Sequence, residues 1–192
     1  MLHTAFVGVD DLKFAVVALS AVFFVVDPFA AVPIFLAITR GDSQTKRKAA
    51  ALRAALAAAA ILVLFALVGG YIFRALGITL GAFKMAGGLM LLLMALDMMR
   101  AQPSRTRSTA EEIKDGADKD DVALVPMALP MLAGPGAIAT VMVLMSRAAW
   151  RPVPVASVVV AIAITVAATW LLLRSAVVAE KFIRDLDLDR EK

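Results

Sequence analysis

The sequence predicts an all-α integral membrane protein, and three observations support this fold class. Hydrophobic residues make up 61% of the 192 residues, whereas a soluble domain is nearer to about 45–50% apolar. Five apolar stretches reach the roughly 20 residues that a helix needs to cross a bilayer. Lysine and arginine are sparse at one end of each stretch and frequent at the other, as in chains that cross a membrane repeatedly.

The five predicted spans follow one another with short connections. They cover residues 13–38, 49–73, 78–99, 122–146 and 153–173. Lys and Arg in the successive segments between and outside the spans, taken together with the adjoining span ends, number 1, 5, 2, 5, 2 and 5. Because positively charged loops stay in the cytoplasm, this alternation predicts an outside N-terminus and a cytoplasmic C-terminus. The N-terminus lacks the basic region and cleavage site of a signal peptide, so the first span is expected to be retained.

A weak internal repeat relates the first and fourth spans. The segment DPFAAVPIFLAITR, which starts at Asp27, aligns with GPGAIATVMVLMSR, which starts at Gly134, and Pro28 then pairs with Pro135. The first span is predicted to run inward and the fourth outward. The two copies are therefore predicted to be inverted across the membrane.

The repeat divides one membrane domain, residues 1–192, into four parts. Repeat 1 covers about residues 13–99 and an incomplete repeat 2 covers about 122–178, with a polar cytoplasmic linker at 100–121 and a polar tail at 179–192. The tail is too charged to cross a membrane. A sixth helix, which would complete the second repeat, is therefore predicted to be missing.

Both copies of the repeat carry residues that start a helix in the middle of a span. Asp is a preferred N-cap and Pro is favoured at the first helical position, as in Asp27-Pro28; Gly134-Pro135 repeats this arrangement. Amide groups at such a helix start favour a carboxylate, while unwound carbonyls suit an ammonium group or a cation. Paired interruptions of this kind mark the binding sites of secondary transporters. The alternative is that Pro and Gly only kink the two helices.

The predicted substrate site takes three residues from each interruption: Asp27, Pro28, Phe29, Gly134, Pro135 and Gly136. Gly136 has no Cβ, so a ligand can approach the backbone there closely. Asp27 has two interpretations: a cap for its helix, or a protonatable group that couples proton flow to transport. Asp97 and Lys84 are weaker candidates because both lie near span ends, from which they can reach the interface.

Other site types and partners are not expected. The chain has no cysteine and a single histidine, so a metal site is improbable, and no cofactor is predicted. Nucleic acid is not expected because the basic residues lie at membrane edges. The expected partners are the lipid bilayer and a small-molecule substrate, and no oligomeric state is predicted. The Gly87-Gly88 pair and the alanine-rich start of the second span are interpreted as helix-packing surfaces.

Three segments together resemble a known family. DPFAAVPIFL, FKMAGGLMLLLMALDMM and LPMLAGPGAIATVMVL resemble, in this order and spacing, the MarC family of bacterial inner-membrane proteins, over about residues 10–175. The resemblance implies six helices in two inverted three-helix repeats, with the first and fourth unwound around the substrate. It also implies transport of small neutral amino acids such as glycine and alanine.

Three functions stay open from the sequence. The leading one is a secondary transporter of small neutral amino acids. The second is an exporter of other small metabolites or drugs on the same scaffold. The third is a non-transporting or degenerate membrane protein, which the missing sixth helix favours. An enzyme is not expected because the chain shows no nucleophile–base pair and no paired carboxylates.

Overall fold

The described residues form a bundle of six helices. A computed structural model describes residues 2–99 and 132–190, so the predicted linker 100–121 and the start of the fourth span lie outside the described residues. The helices are α1 (Leu2–Val26), α2 (Pro28–Ile38), α3 (Gln44–Ala75), α4 (Leu80–Met99), α5 (Pro135–Ala148) and α6 (Pro152–Arg190). The described residues contain no strand.

Three helical stretches of the described residues are long and apolar enough to cross a membrane. They are Asp10–Ile38, Gln44–Ala75 and Pro152–Glu180, and α5 adds a shorter apolar helix. Their mean hydropathy lies between 2.3 and 2.5. The predicted all-α membrane class is confirmed, whereas the number of crossings, their orientation and the inverted repeat stay predictions.

Helix α6 forms one side of the core. Helices α1, α2 and α3 all pack against it, and α5 packs against α1, α3 and α4. The face of α3 toward the core consists almost entirely of small residues at spacings of three and four: Ala51, Ala54, Ala55, Ala58, Leu62 and Ala66. Small side chains let helix backbones approach closely in a membrane. The packing role predicted for the alanine-rich start of the second span is thereby confirmed.

The Gly87-Gly88 pair divides into two different environments. A Cβ placed on Gly87 would lie 2.9 Å from the Cβ of Ala139 on α5, closer than such atoms approach in practice. A Cβ on Gly88 meets nothing within 4 Å. The predicted close approach is therefore confirmed at Gly87, where α4 contacts α5, and is absent at Gly88.

Helix α6 extends further than the predicted fifth span. The sequence placed the span at 153–173 and assigned only polarity to the tail, but the helix continues to Arg190. Its apolar portion ends at Glu180. Leu, Glu, Lys and Arg, which make up eight of the 14 residues at 179–192, have high intrinsic helix propensity, so a helix can continue after the hydrophobic stretch has ended.

Candidate substrate site

The first predicted interruption is a break between α1 and α2 at Asp27. This residue adopts the left-handed conformation (φ 50°, ψ 71°), a region that Asp tolerates better than most residues. Its Oδ1 accepts a hydrogen bond of 3.2 Å from the Ala30 N–H, and Pro28 is the first residue of α2. Asp27 is therefore an N-cap, as predicted from the Asp-Pro pair.

The second predicted interruption is the start of α5. Gly134 is the N-cap, with extended backbone angles (φ −67°, ψ 171°), and Pro135 is the first helical residue. Glycine supplies no side-chain capping bond. One turn later, the Thr140 hydroxyl donates to the Gly136 carbonyl at 2.9 Å. The paired prolines of the repeat thus start two short helices, of 11 and 14 residues.

The six predicted site residues differ in exposure. Pro28, Gly134 and Gly136 are buried, Asp27 is half-buried, and Phe29 and Pro135 are exposed. The residues that flank the two breaks belong to one buried apolar cluster: Val26 and Ala31 at the first, Ala133 and Ala137 at the second. Both helix starts therefore border the same core, although the structure does not show the six residues lining a common cavity.

Two cavities lined by described residues lie away from the predicted site. The larger, of about 530 Å³, lies between the C-terminal parts of α3 and α5 and is lined by Arg74, Thr79, Ser146 and Trp150 together with apolar residues. The other, of about 340 Å³, lies between α1 and α6 and is almost entirely apolar. Neither is lined by a predicted site residue. Within the described residues, no group of three or more His, Cys, Asp or Glu side chains is placed to hold a metal.

A charged cluster that the sequence analysis missed connects α2, α3 and α6. The Arg47 side chain is 5% exposed; it donates from Nη2 to Glu180 Oε2 at 2.5 Å and from Nε to Thr39 Oγ1 at 3.1 Å. The Thr39 hydroxyl in turn donates to the Phe35 carbonyl at 2.7 Å. Thr39 is the C-cap of α2, where the helix dipole favours a cation. We call Thr39, Arg47 and Glu180 the Arg47 clamp.

No local sequence pattern indicates the Arg47 clamp. Arg47 is one of five basic residues that the charge count placed at the first cytoplasmic loop, and charge counting treats them all as solvated. Its partners come from positions 39 and 180, and only tertiary packing brings these together.

The turn between α5 and α6 is also unusual. Ala149 (φ 47°) and Trp150 (φ 58°) are both left-handed, which costs non-glycine residues about 1–2 kcal/mol each. An ion pair of 3.6 Å between Arg151 Nη1 and Asp11 Oδ1 connects the turn to α1. The Trp150 ring lies 6.2 Å from the Tyr71 ring, centroid to centroid. Nothing in the local sequence, which has no glycine here, predicts a left-handed turn.

Comparison with known proteins places this architecture in a family. Residues 12–189 match the family described as MarC family integral membrane protein. The chain belongs to the MarC family. The resemblance of the three sequence segments to this family is thereby confirmed. Membership of an integral membrane family, together with the apolar helices, makes the chain a multi-pass membrane protein.

Several UPF0056 membrane proteins are similar to this MarC family chain. One from Methanocaldococcus jannaschii is 42% identical over 138 residues, covering 72% of this chain and 67% of that protein. One from Pyrococcus abyssi is 34% identical over 157 residues, with shares of 82% and 75%, and YvbG of Bacillus subtilis is 37% identical over 131 residues, with shares of 68% and 62%.

The segments that match this chain cover only part of the length of these relatives. The chain spans 60% of a second Methanocaldococcus jannaschii protein and 56% of an Aquifex aeolicus protein. No solved structure matches the chain. The names of these relatives give a membrane location and no substrate.

Proposed function

We propose that this MarC family protein is a secondary transporter of small neutral amino acids such as glycine and alanine. The observation that carries the proposal is the left-handed break at Asp27, which starts a new helix within the apolar stretch Asp10–Ile38. A second helix starts in the same way, at a proline, in the other half of the chain. Discontinuous helices in paired halves are the form of secondary-transporter binding sites.

The two helix starts differ in charge, and this difference suits a zwitterion. At α5 the N–H groups of Gly136 and Ala137 lie in the first turn, which has no intrahelical acceptor, and Gly134 supplies no side-chain cap. These amides favour a carboxylate. At α2 the Asp27 carboxylate already caps Ala30, so this start offers negative charge to an ammonium group. In this assignment Asp27 has both roles that the sequence suggested, cap and proton-coupling group.

The orientation belongs to the proposal as well: a cell inner membrane location, an outside N-terminus and a cytoplasmic C-terminus. The α2–α3 turn contains Gly41 and the α3–α4 turn contains Gly77, both exposed and both with positive φ. A reporter fused after Gly41 should report the cytoplasm, and one fused after Gly77 should report the outside. The opposite result for either fusion contradicts the orientation and the inverted repeat.

Transport is tested with purified protein in proteoliposomes, by uptake of labelled alanine with and without a pH gradient. Asp27→Asn retains an oxygen that can accept from the Ala30 N–H but loses the ionisable group. We expect this variant to bind alanine less tightly, because the negative charge assigned to the ammonium group is lost, and to lose the dependence of uptake on the pH gradient.

Two outcomes limit the proposal. Uptake by Asp27→Asn that still follows the pH gradient would leave Asp27 as a cap only. A folded wild-type protein that takes up neither glycine nor alanine contradicts the proposed substrates; the same assay with other small metabolites then tests the exporter hypothesis.

A further inference from the structure

We propose that the 530 Å³ cavity between α3 and α5 is a vestibule in which Arg74 binds the carboxylate of the incoming amino acid. The inference rests on the transport function proposed above and adds a second binding site to it. In the orientation proposed above, the cavity lies at the outer end of the bundle, where α3 and α5 both end.

The lining of the cavity changes from apolar to polar along its length. Its inner part is walled by Ala66 and Met142, and its outer part carries Arg74, Thr79 and Ser146. Ala66 and Arg74 are eight residues apart on α3, which corresponds to about 12 Å along the axis. The volume falls within the roughly 300–1,000 Å³ of small-molecule sites, which typically combine apolar walls with a few placed polar groups. Such a cavity has room for a small amino acid and accompanying water.

Arg74 provides a cation that has no carboxylate partner within the described part of the chain. Its side chain is exposed in the last turn of α3, and it has no hydrogen bond or ion pair with any side chain that the structure describes. A guanidinium binds a carboxylate through two parallel hydrogen bonds. Thr79 lies beside it in the lining; its Oγ1 accepts from the Ala82 N–H at 3.1 Å, which leaves the hydroxyl proton to donate. The polar end of the cavity is therefore suited to an oxyanion.

Trp150 forms a wall of the cavity from a strained backbone. The residue is left-handed and 60% exposed, and the ion pair between Arg151 and Asp11 connects its turn to α1. Strained residues that the surrounding structure maintains are concentrated at functional sites. Here the strained conformation places an aromatic ring at the cavity, where it can report on a bound ligand.

The two ends of α3 differ in a way that fits a vestibule. Arg47 and Arg74 are 27 residues apart, or about 40 Å along the helix; the first is buried in the Arg47 clamp and the second opens onto the cavity. Beside the lining residue Met142, a Cβ on Gly69 would lie 2.6 Å from Met142 Cε, so α3 and α5 pack closely at this level. Met142 is six residues beyond Gly136 on α5, about 9 Å. The inner end of the cavity is therefore less than two turns of α5 from the predicted substrate site.

The experiment measures ligand binding at the cavity, through tryptophan fluorescence, separately from transport. Trp150 and Trp170 are the two tryptophans of the chain, so Trp170→Phe leaves Trp150 as the single reporter. Emission of this protein in detergent is titrated with alanine, with acetate and with alaninamide, which lacks the carboxylate. We expect saturable changes with alanine and acetate and none with alaninamide. Arg74→Gln should weaken the alanine response at least tenfold, and Arg147→Gln, an exposed arginine on α5 outside the cavity lining, should leave it unchanged.

Each result has a defined meaning. A saturable, Arg74-dependent response without alanine uptake in proteoliposomes supports the vestibule and contradicts the proposed transport. If the KM of alanine uptake is the same for the wild type and Arg74→Gln, and Trp150 emission does not respond, the vestibule hypothesis is wrong. The transport hypothesis is then unaffected. A response to phosphatidylglycerol vesicles but not to alanine or acetate also overturns it, because the oxyanion would then be a lipid headgroup.

Discussion

Gly136→Leu is expected to abolish glycine and alanine uptake while leaving the protein inserted in the membrane. Gly136 is buried at the second position of α5, where its N–H is one of the amides assigned to the substrate carboxylate. In the proposed site, a leucine side chain there would occupy the space through which the substrate reaches these amides. Because overpacking a buried position costs about 1–3 kcal/mol, insertion and helicity are measured beside uptake of labelled glycine and alanine.

Two further variants distinguish a blocked substrate site in Gly136→Leu from misfolding of that protein. Gly88→Leu makes the same change on α4 at a position where an added Cβ meets nothing within 4 Å, so uptake should be retained. Gly136→Ala adds a single methyl group and should reduce uptake less than Gly136→Leu. If the folded Gly136→Leu protein transports at the wild-type rate, Gly136 does not belong to the substrate site.

The second large effect concerns stability. Glu180→Ala removes the carboxylate that accepts from the buried Arg47 guanidinium. A buried charge left without its partner costs about 3–5 kcal/mol, so we expect a loss of free energy of unfolding near the lower limit, roughly 3 kcal/mol. Arg47→Met should cost less, because it leaves a carboxylate that is 32% exposed and can be hydrated. Reversible unfolding in mixed micelles measures both variants.

An exposed ion pair serves as the matched control. Lys13 and Asp10 are 3.9 Å apart with side chains 73% and 59% exposed, and exposed pairs contribute little. Lys13→Ala should therefore leave the unfolding transition nearly unchanged. The double variant Arg47→Met with Glu180→Leu should recover much of the stability lost in Glu180→Ala, since an apolar pair can replace a buried ion pair. Equal unfolding of Glu180→Ala and Lys13→Ala would show that the clamp does not stabilise the bundle.

Local patterns predicted much of the fold because the relevant physics is local. Apolar stretches of sufficient length predicted the membrane class, and the Asp27-Pro28 and Gly134-Pro135 pairs predicted the first residues of α2 and α5. Capping and the missing proline N–H act within one turn of the chain. The small residues of α3 and Gly87 likewise indicated close packing before any partner helix was known.

The candidate site was predictable only in part. The sequence proposed six residues at two helix starts, and the structure places residues flanking both starts in one buried cluster. It could not show that Pro28 is buried while the adjacent Phe29 is exposed, because exposure depends on the direction in which each side chain leaves its helix. Arg74 and Trp150 were absent from the prediction because neither carries a motif.

By itself, the sequence determined the all-α membrane class, the positions at which α2 and α5 begin, and the small-residue faces. Each depends on hydrophobicity or on hydrogen bonds within a few residues. Tertiary structure alone decided which of the many basic residues is buried, where the cavity opens, and that Ala149 and Trp150 adopt left-handed angles. These features depend on contacts between distant positions, such as Arg47 with Glu180 and Arg151 with Asp11, and a buried charge is tolerated only where folding supplies its partner.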